Sequence, residues 1–140
     1  MTKPPYDPEA AHEEYRRKVA RYSGSFMSDA KWVRLFTAAA RSGIAIARAK
    51  WAFIGTDHVM WEALPEESDL LPHRFLDGRF QPFEYRWIES IFVPWEYRPD
   101  PSVGYTRKQD VGALRRALEA VGQFQLEEDD EGLTIVAYRT

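Results

Sequence analysis

The chain has 140 residues, with 19 Lys and Arg against 22 Asp and Glu for a net charge of −3, and 44% of it is apolar. Such a length corresponds to about one domain, and a domain of roughly this size buries about two thirds of the surface its unfolded chain exposes, so it can fold without disulfides or metal. The absence of Cys removes disulfides, thiolate catalysis, iron–sulfur ligation and Cys-based zinc sites together. The negative balance argues against a dedicated phosphate-backbone binder.

Pro4, Pro5 and Pro8 keep the first residues extended, so residues 1–7 are expected to form a disordered tip ahead of one domain over 8–140. No apolar stretch approaches the roughly 18 residues of a membrane span, and no secretory h-region opens the chain, so a cytoplasmic protein is expected. Asp7 can cap a first helix opened by Pro8, with basic Arg16, Arg17, Lys18 and Arg21 toward its end, but its apolar stripe of Ala11, Tyr15, Val19 and Tyr22 is narrow. Ser23-Gly24-Ser25 breaks it. Ser28 is placed to cap a second helix through about Ser42, in which Trp32, Leu35, Phe36, Ala39 and Ala40 recur at helical spacing and Gly43 follows as the stop.

From Ile44 the period changes to two, with Ala45, Ala47, Ala49, Trp51 and Phe53 on one side of an extended segment. Gly55-Thr56-Asp57 supplies turn chemistry, and Val59, Trp61 and Ala63 form the expected inward face of a returning strand. Residues 65–83, with Pro65, Pro72, Pro82 and an Asp77-Gly78 turn, read as a long excursion. Glu84 to Val93 reads as a strand with Tyr85, Trp87, Glu89, Ile91 and Val93 opposite Arg86, Ile88, Ser90 and Phe92, and Trp87 and Phe92 are expected in the core. A proline-rich loop over 94–105 carries Trp95, Tyr97 and Tyr105. Val111, Leu114, Leu118 and Val121 predict a third helix ending at Gly122, and a hairpin closes the chain: Phe124 and Leu126 lead out, and Leu133, Ile135 and Ala137 return. The order α-α-β-β-β-α-β-β predicts an α+β fold, an antiparallel sheet built from hairpins with helices on one face.

Charge is unevenly distributed. Residues 1–56 carry ten basic and five acidic side chains, net +5, and residues 57–140 carry nine and seventeen, net −8. If the halves occupy different faces, the resulting dipole steers a charged partner; if they interleave, it cancels.

Phe26-Met27-Ser28-Asp29-Ala30-Lys31-Trp32, Tyr85-Arg86-Trp87-Ile88-Glu89 and Gly132 to Tyr138-Arg139 resemble a family of small bacterial proteins of unknown function. These stretches cover well under half the chain, and the resemblance brings no activity, cofactor or catalytic residue. A looser, compositional similarity is to the immunity proteins of bacterial toxin systems, which are often small, acidic, Cys-poor α+β domains that block a toxin by binding it.

The chemistry in the sequence is sparse. His12, His58 and His73 stand at no metal-ligand spacing, and neither a nucleophile elbow nor a phosphate-binding glycine loop occurs, so no catalytic residue, metal or cofactor is assigned. Asp57, His58 and Glu62 around one strand, with Trp61 beside them, form a candidate ligand pocket, since a His and a carboxylate of the same parity could do acid/base work; a solvated strand face is the plainer reading. Trp95, Tyr97 and Tyr105 are candidates for partner binding, because Trp, Tyr and Arg anchor protein interfaces, and aromatic platforms can also stack single-stranded bases. The run Glu127, Glu128, Asp129, Asp130 and Glu131 reads either as a solubilising hairpin tip or as an anionic finger fitted to a basic cleft. The expectation is a protein-binding module, with a small enzyme or ligand binder near His58, Glu62 and Trp61 as the alternative.

Overall fold

A computed structural model describes residues 8–22, 24–74 and 84–139; the tip over 1–7, the Asp7 cap, Ser23 and the Asp77-Gly78 turn lie outside the described residues. Helix α1 (Pro8–Val19) is followed by a two-residue strand β1 (Gly24–Ser25) and by α2 (Asp29–Arg41). The Ser28 side chain accepts from the Lys31 amide at 3.2 Å, and Gly43 past the C terminus takes φ 76°, so both ends of α2 stop where its capping residues predict. Strands β2 (Ala49–Phe53), β3 (Val59–Glu62) and β4 (Ile88–Pro94) come next, then a short pair, β5 (Glu96–Tyr97) and β6 (Arg107–Lys108). Helix α3 (Val111–Glu119), capped by Asp110, precedes β7 (Leu126–Glu128), β8 (Gly132–Val136) and β9 (Tyr138–Arg139).

Five of these strands form one antiparallel sheet in the order β3-β2-β4-β8-β7, and β1 pairs with β9 at its margin. The fold is α+β, as the element pattern predicts. Two rows of directly opposed residues run across the sheet on opposite faces. Met60, Trp51, Ile91, Ile135 and Leu126 share the inner face, while Trp61, Lys50, Phe92, Thr134 and Glu127 share the outer one. Helices α2 and α3 cover only the inner face: Trp32, Leu35 and Phe36 of α2 and Val111, Leu114 and Leu118 of α3 are buried in one cluster with Trp51, Ile91, Val93, Leu133 and Ile135. Phe36 stacks against Trp32 at 5.2 Å and against Trp51 at 5.7 Å between ring centroids. Each such side chain contributes roughly 1.5–3 kcal/mol through burial.

The thin apolar stripe of α1 suffices to dock it. Tyr15 and Val19 pack partly buried on the core, the Tyr15 hydroxyl lies 3.0 Å from that of Tyr138, and the Arg86 guanidinium sits 4.4 Å from the Tyr15 ring centroid. Burial raises the Tyr138 phenol above its ordinary range, with Tyr15 adding to the shift.

Three local expectations are corrected. Residues 44–48 precede the sheet, so the alternation breaks: Ile46 is buried where Ala45 and Ala47 are exposed, and the inward parity begins only at Ala49. In β3 the inward residues are Met60 and Glu62, and Val59 and Trp61 face out at 47% and 43% exposure, because pairing of Met60 with core Trp51 sets the register. Tyr85–Trp87 is a turn of 3-10 helix, which shifts the buried set to Tyr85, Ile88, Ile91 and Val93 and leaves Trp87 half-buried.

Candidate functional site

The outer face of the sheet carries a groove of about 580 Å³, lined by Trp61, Phe92, Pro94, Trp95, Glu96, Lys108, Asp130 and Glu131. Its floor follows from strand parity. Trp61 and Phe92 are both paired with Lys50, one on each side of β2, so their rings flank the same strand. Phe92, expected in the core, is instead half-buried on this outer face. Its ring lies against Gly132: a Cβ there would overlap the Val93 carbonyl oxygen and would press on Phe92 Cε2 and Pro94 Cα. Glycine is therefore required at the start of β8 by space, on the strand that supports the groove.

Trp95 is held at the edge by its backbone, whose amide donates to the Glu131 carbonyl at 3.0 Å and whose carbonyl accepts from the Gln109 amide at 2.9 Å. The Gln109 side chain is 4% exposed and fully engaged. Its Oε1 accepts from the Arg48 amide at 3.0 Å, and its Nε2 donates to the carbonyls of Arg48 at 3.0 Å and Pro94 at 2.9 Å. One buried amide thus ties the approach to β2, the end of β4 and the start of α3 together beneath the groove, satisfying backbone groups that the sheet leaves unpaired. Arg48 in turn places its guanidinium 5.6 Å from the Trp61 ring centroid.

The acidic run divides by function in the fold. Glu127 pairs with Arg139, and Glu128 lies 3.4 Å from Arg115. The Arg115 guanidinium is held above its ordinary range, first by Glu119 and then by Glu128. Asp129 closes the turn, its Oδ1 accepting from the amides of Glu131 at 2.8 Å and Gly132 at 3.1 Å. Asp130 and Glu131 are exposed, and among the described residues no ion pair engages either carboxylate; both stand on the groove's rim. Across from them Glu96 faces Lys108 at 3.8 Å in the β5–β6 pair.

The structure therefore brings together residues that sequence reasoning held apart: Trp61, Trp95, Asp130 and Glu131. It disperses others. Asp57 and His58 are exposed ahead of β3, the His58 amide donating to the Thr56 hydroxyl at 3.1 Å, and Glu62 lies on the inner face opposite Trp61. Tyr97 is half-buried opposite Arg107, and Tyr105 is 53% exposed; neither lines the groove. Gln109, Glu96 and Lys108 were not legible as site residues, since nothing local in the sequence distinguishes a buried Gln from an exposed one.

The lining offers aromatic faces, three carboxylates and one ammonium, and includes no hydroxyl, thiol or imidazole. Among the described residues no group of three His, Cys, Asp or Glu could hold a metal ion, and no helix is long and apolar enough to cross a membrane. Fold and site together define a single α+β domain with an aromatic, acid-rimmed groove on the open face of its sheet. No family model, curated protein or solved structure matches the chain.

Proposed function

We propose that this chain is a non-catalytic, cytoplasmic protein-binding module, immunity-like in the sense that it acts by occupying a partner, and that the groove between Trp61, Phe92 and Trp95 is its contact surface. The observation that carries this reading is the coincidence of Trp61 and Phe92 on the uncovered sheet face, with Trp95 at its edge, and two rim carboxylates that no ion pair engages among the described residues. Protein interfaces place aromatic anchors at their centre and charge at the rim, where charge accelerates association and selects the partner. The small-ligand alternative around Asp57, His58, Trp61 and Glu62 has less support, since Asp57 and His58 are exposed ahead of β3 and Trp61 and Glu62 lie on opposite faces of it.

Affinity capture from an extract of the source organism, run at low and high salt, tests the reading. A single stoichiometric protein held at low salt and released at high salt is expected, and columns that retain no specific protein in either condition would overturn it.

A further inference from the structure

Strand β3 is the outermost strand of the sheet and is bonded to β2 on one side only. Its free margin carries the backbone donors and acceptors that the ladder leaves over. His58, Val59, Trp61 and Ala63 along it are exposed, and Val59 and Trp61 are two of the four large apolar side chains exposed among the described residues. No hydrogen bond or ion pair engages the His58 imidazole or the Glu62 carboxylate among the described residues; the His58 amide is bonded to Thr56, and the Glu62 carbonyl accepts from the Trp51 indole. These two side chains share a parity but stand four residues apart, about 13 Å along a strand, so they do not meet within one chain. We propose that they meet between two: the β3 edges of two copies of this chain pair antiparallel about Met60, and His58 of each copy faces Glu62 of the other.

Complementarity selects both the partner and the register. When a strand pairs antiparallel with its own copy, opposed residues must share parity, so that their side chains lie on one face and their free backbone groups match. The two-fold axis therefore passes beside a residue. About Met60, His58 opposes Glu62 of the partner copy, Val59 opposes its Trp61, and Met60 opposes its equivalent, so charge meets charge and apolar meets apolar. About Trp61, Glu62 would oppose Met60; about Val59, Trp61 would oppose Asp57 and His58 would oppose Met60. The cations of the outer face do not oppose the seam, since Lys50 stands on β2 and Arg48 lies over the Trp61 ring, while Val59 and Trp61 of the partner copy bring no charge to them. The other edge of the sheet is closed to the same use. Set against its copy about Glu127, β7 would oppose that carboxylate to its equivalent and Leu126 to Glu128, and both acids are already paired, with Arg139 and Arg115.

Sedimentation velocity of the full chain from about 1 µM to about 1 mM tests the seam. Reversible passage from one chain to two is expected, with a Kd on the order of 10–100 µM for so short an interface. The His58–Glu62 pair occurs twice in the dimer, so His58→Glu alone and Glu62→Lys alone, each of which removes the attraction, are expected to weaken association about tenfold. The combined His58→Glu, Glu62→Lys chain again sets opposite charges across the seam and is expected to return to within about threefold of the parent chain. Val59→Glu, an exposed substitution that sets a carboxylate against the apolar Trp61 of the partner copy, is expected to weaken association by tenfold or so as well. Circular dichroism verifies that each variant is folded. A single-chain mass throughout the concentration range, association that the single substitutions leave unchanged, or a combined variant no tighter than the single ones would each overturn the proposal.

Discussion

Replacing Gln109 by Met keeps the side-chain length and volume while removing all three of its hydrogen bonds to Arg48 and Pro94. A net hydrogen bond is worth about 1 kcal/mol, and a buried acceptor left without a partner costs a further 1–3 kcal/mol or so, which places the upper limit well above 3 kcal/mol. The Arg48 backbone is half-buried and can recover water, whereas the Pro94 bond is fully enclosed. The expected loss is therefore about 2–4 kcal/mol, which for a domain of this size lowers Tm by roughly 10 °C. Urea unfolding of Gln109→Met with an unchanged slope would read this as stability alone. A variant within about 0.5 kcal/mol of the parent chain would show that the three bonds do not hold the segments beneath the groove.

Other outcomes follow from single positions. Gly132→Ala forces a Cβ into the Val93 carbonyl and the Phe92 ring, so a loss of about 2–3 kcal/mol in urea unfolding and a displaced Phe92 resonance are expected. Trp51→Ala, at 1% exposure, is expected to cost roughly 3–5 kcal/mol, whereas Trp61→Ala, at 43% exposure, costs under about 1 kcal/mol and shows its effect in partner binding instead. Burial pushes the Tyr85 phenol, which donates to the Leu71 carbonyl at 2.6 Å, up to about 12 from an ordinary 10.0, with the Asp29 carboxylate adding to the rise. A raised phenol favours the folded state while it stays neutral: its contribution is complete below pH 10 and disappears as pH rises toward 12. Stability measured at intervals across that window should fall, and should fall less steeply in Tyr85→Phe, in which the group cannot ionise.

How far the sequence reached depended on whether a feature was local. Helix α2 was legible to the residue at both ends, because Ser28 and Gly43 act on their own neighbours. The antiparallel hairpins were legible in the same way, from turn chemistry and alternation. Sheet faces were not. Val59 and Trp61 form the more apolar side of β3, yet they point outward because Trp51 across the ladder fixes which side is buried, and that partnership is a long-range fact. The same applies to Phe92, expected in the core as an aromatic side chain within a strand and placed on the outer row by its pairing with Lys50 and Thr134. In Tyr85–Trp87 a single 3-10 turn changed the period without a proline or glycine to announce it. For the site, Trp95, Asp130 and Glu131 stood out as individual candidates, but their convergence with Trp61 needed the strand order, and Gln109 carried no signal at all. The acidic run illustrates the limit well: five consecutive carboxylates look equivalent in sequence, and only packing reveals that Glu127, Glu128 and Asp129 are internally engaged.

The measurement that bears most directly on the groove is capture from the source extract on three parallel columns: the parent chain, a Trp95→Ala, Asp130→Asn, Glu131→Gln triple variant, and a His58→Ala, Glu62→Gln double variant. Every substituted residue except Glu62 and Trp95 is exposed, and circular dichroism would verify that each variant is folded before use. The groove interpretation predicts one protein retained equally by the parent and the His58 variant and lost from the triple variant. Retention by the triple variant with loss from the His58 variant would place the contact surface at the Asp57–Glu62 hairpin and contradict the assignment of the groove.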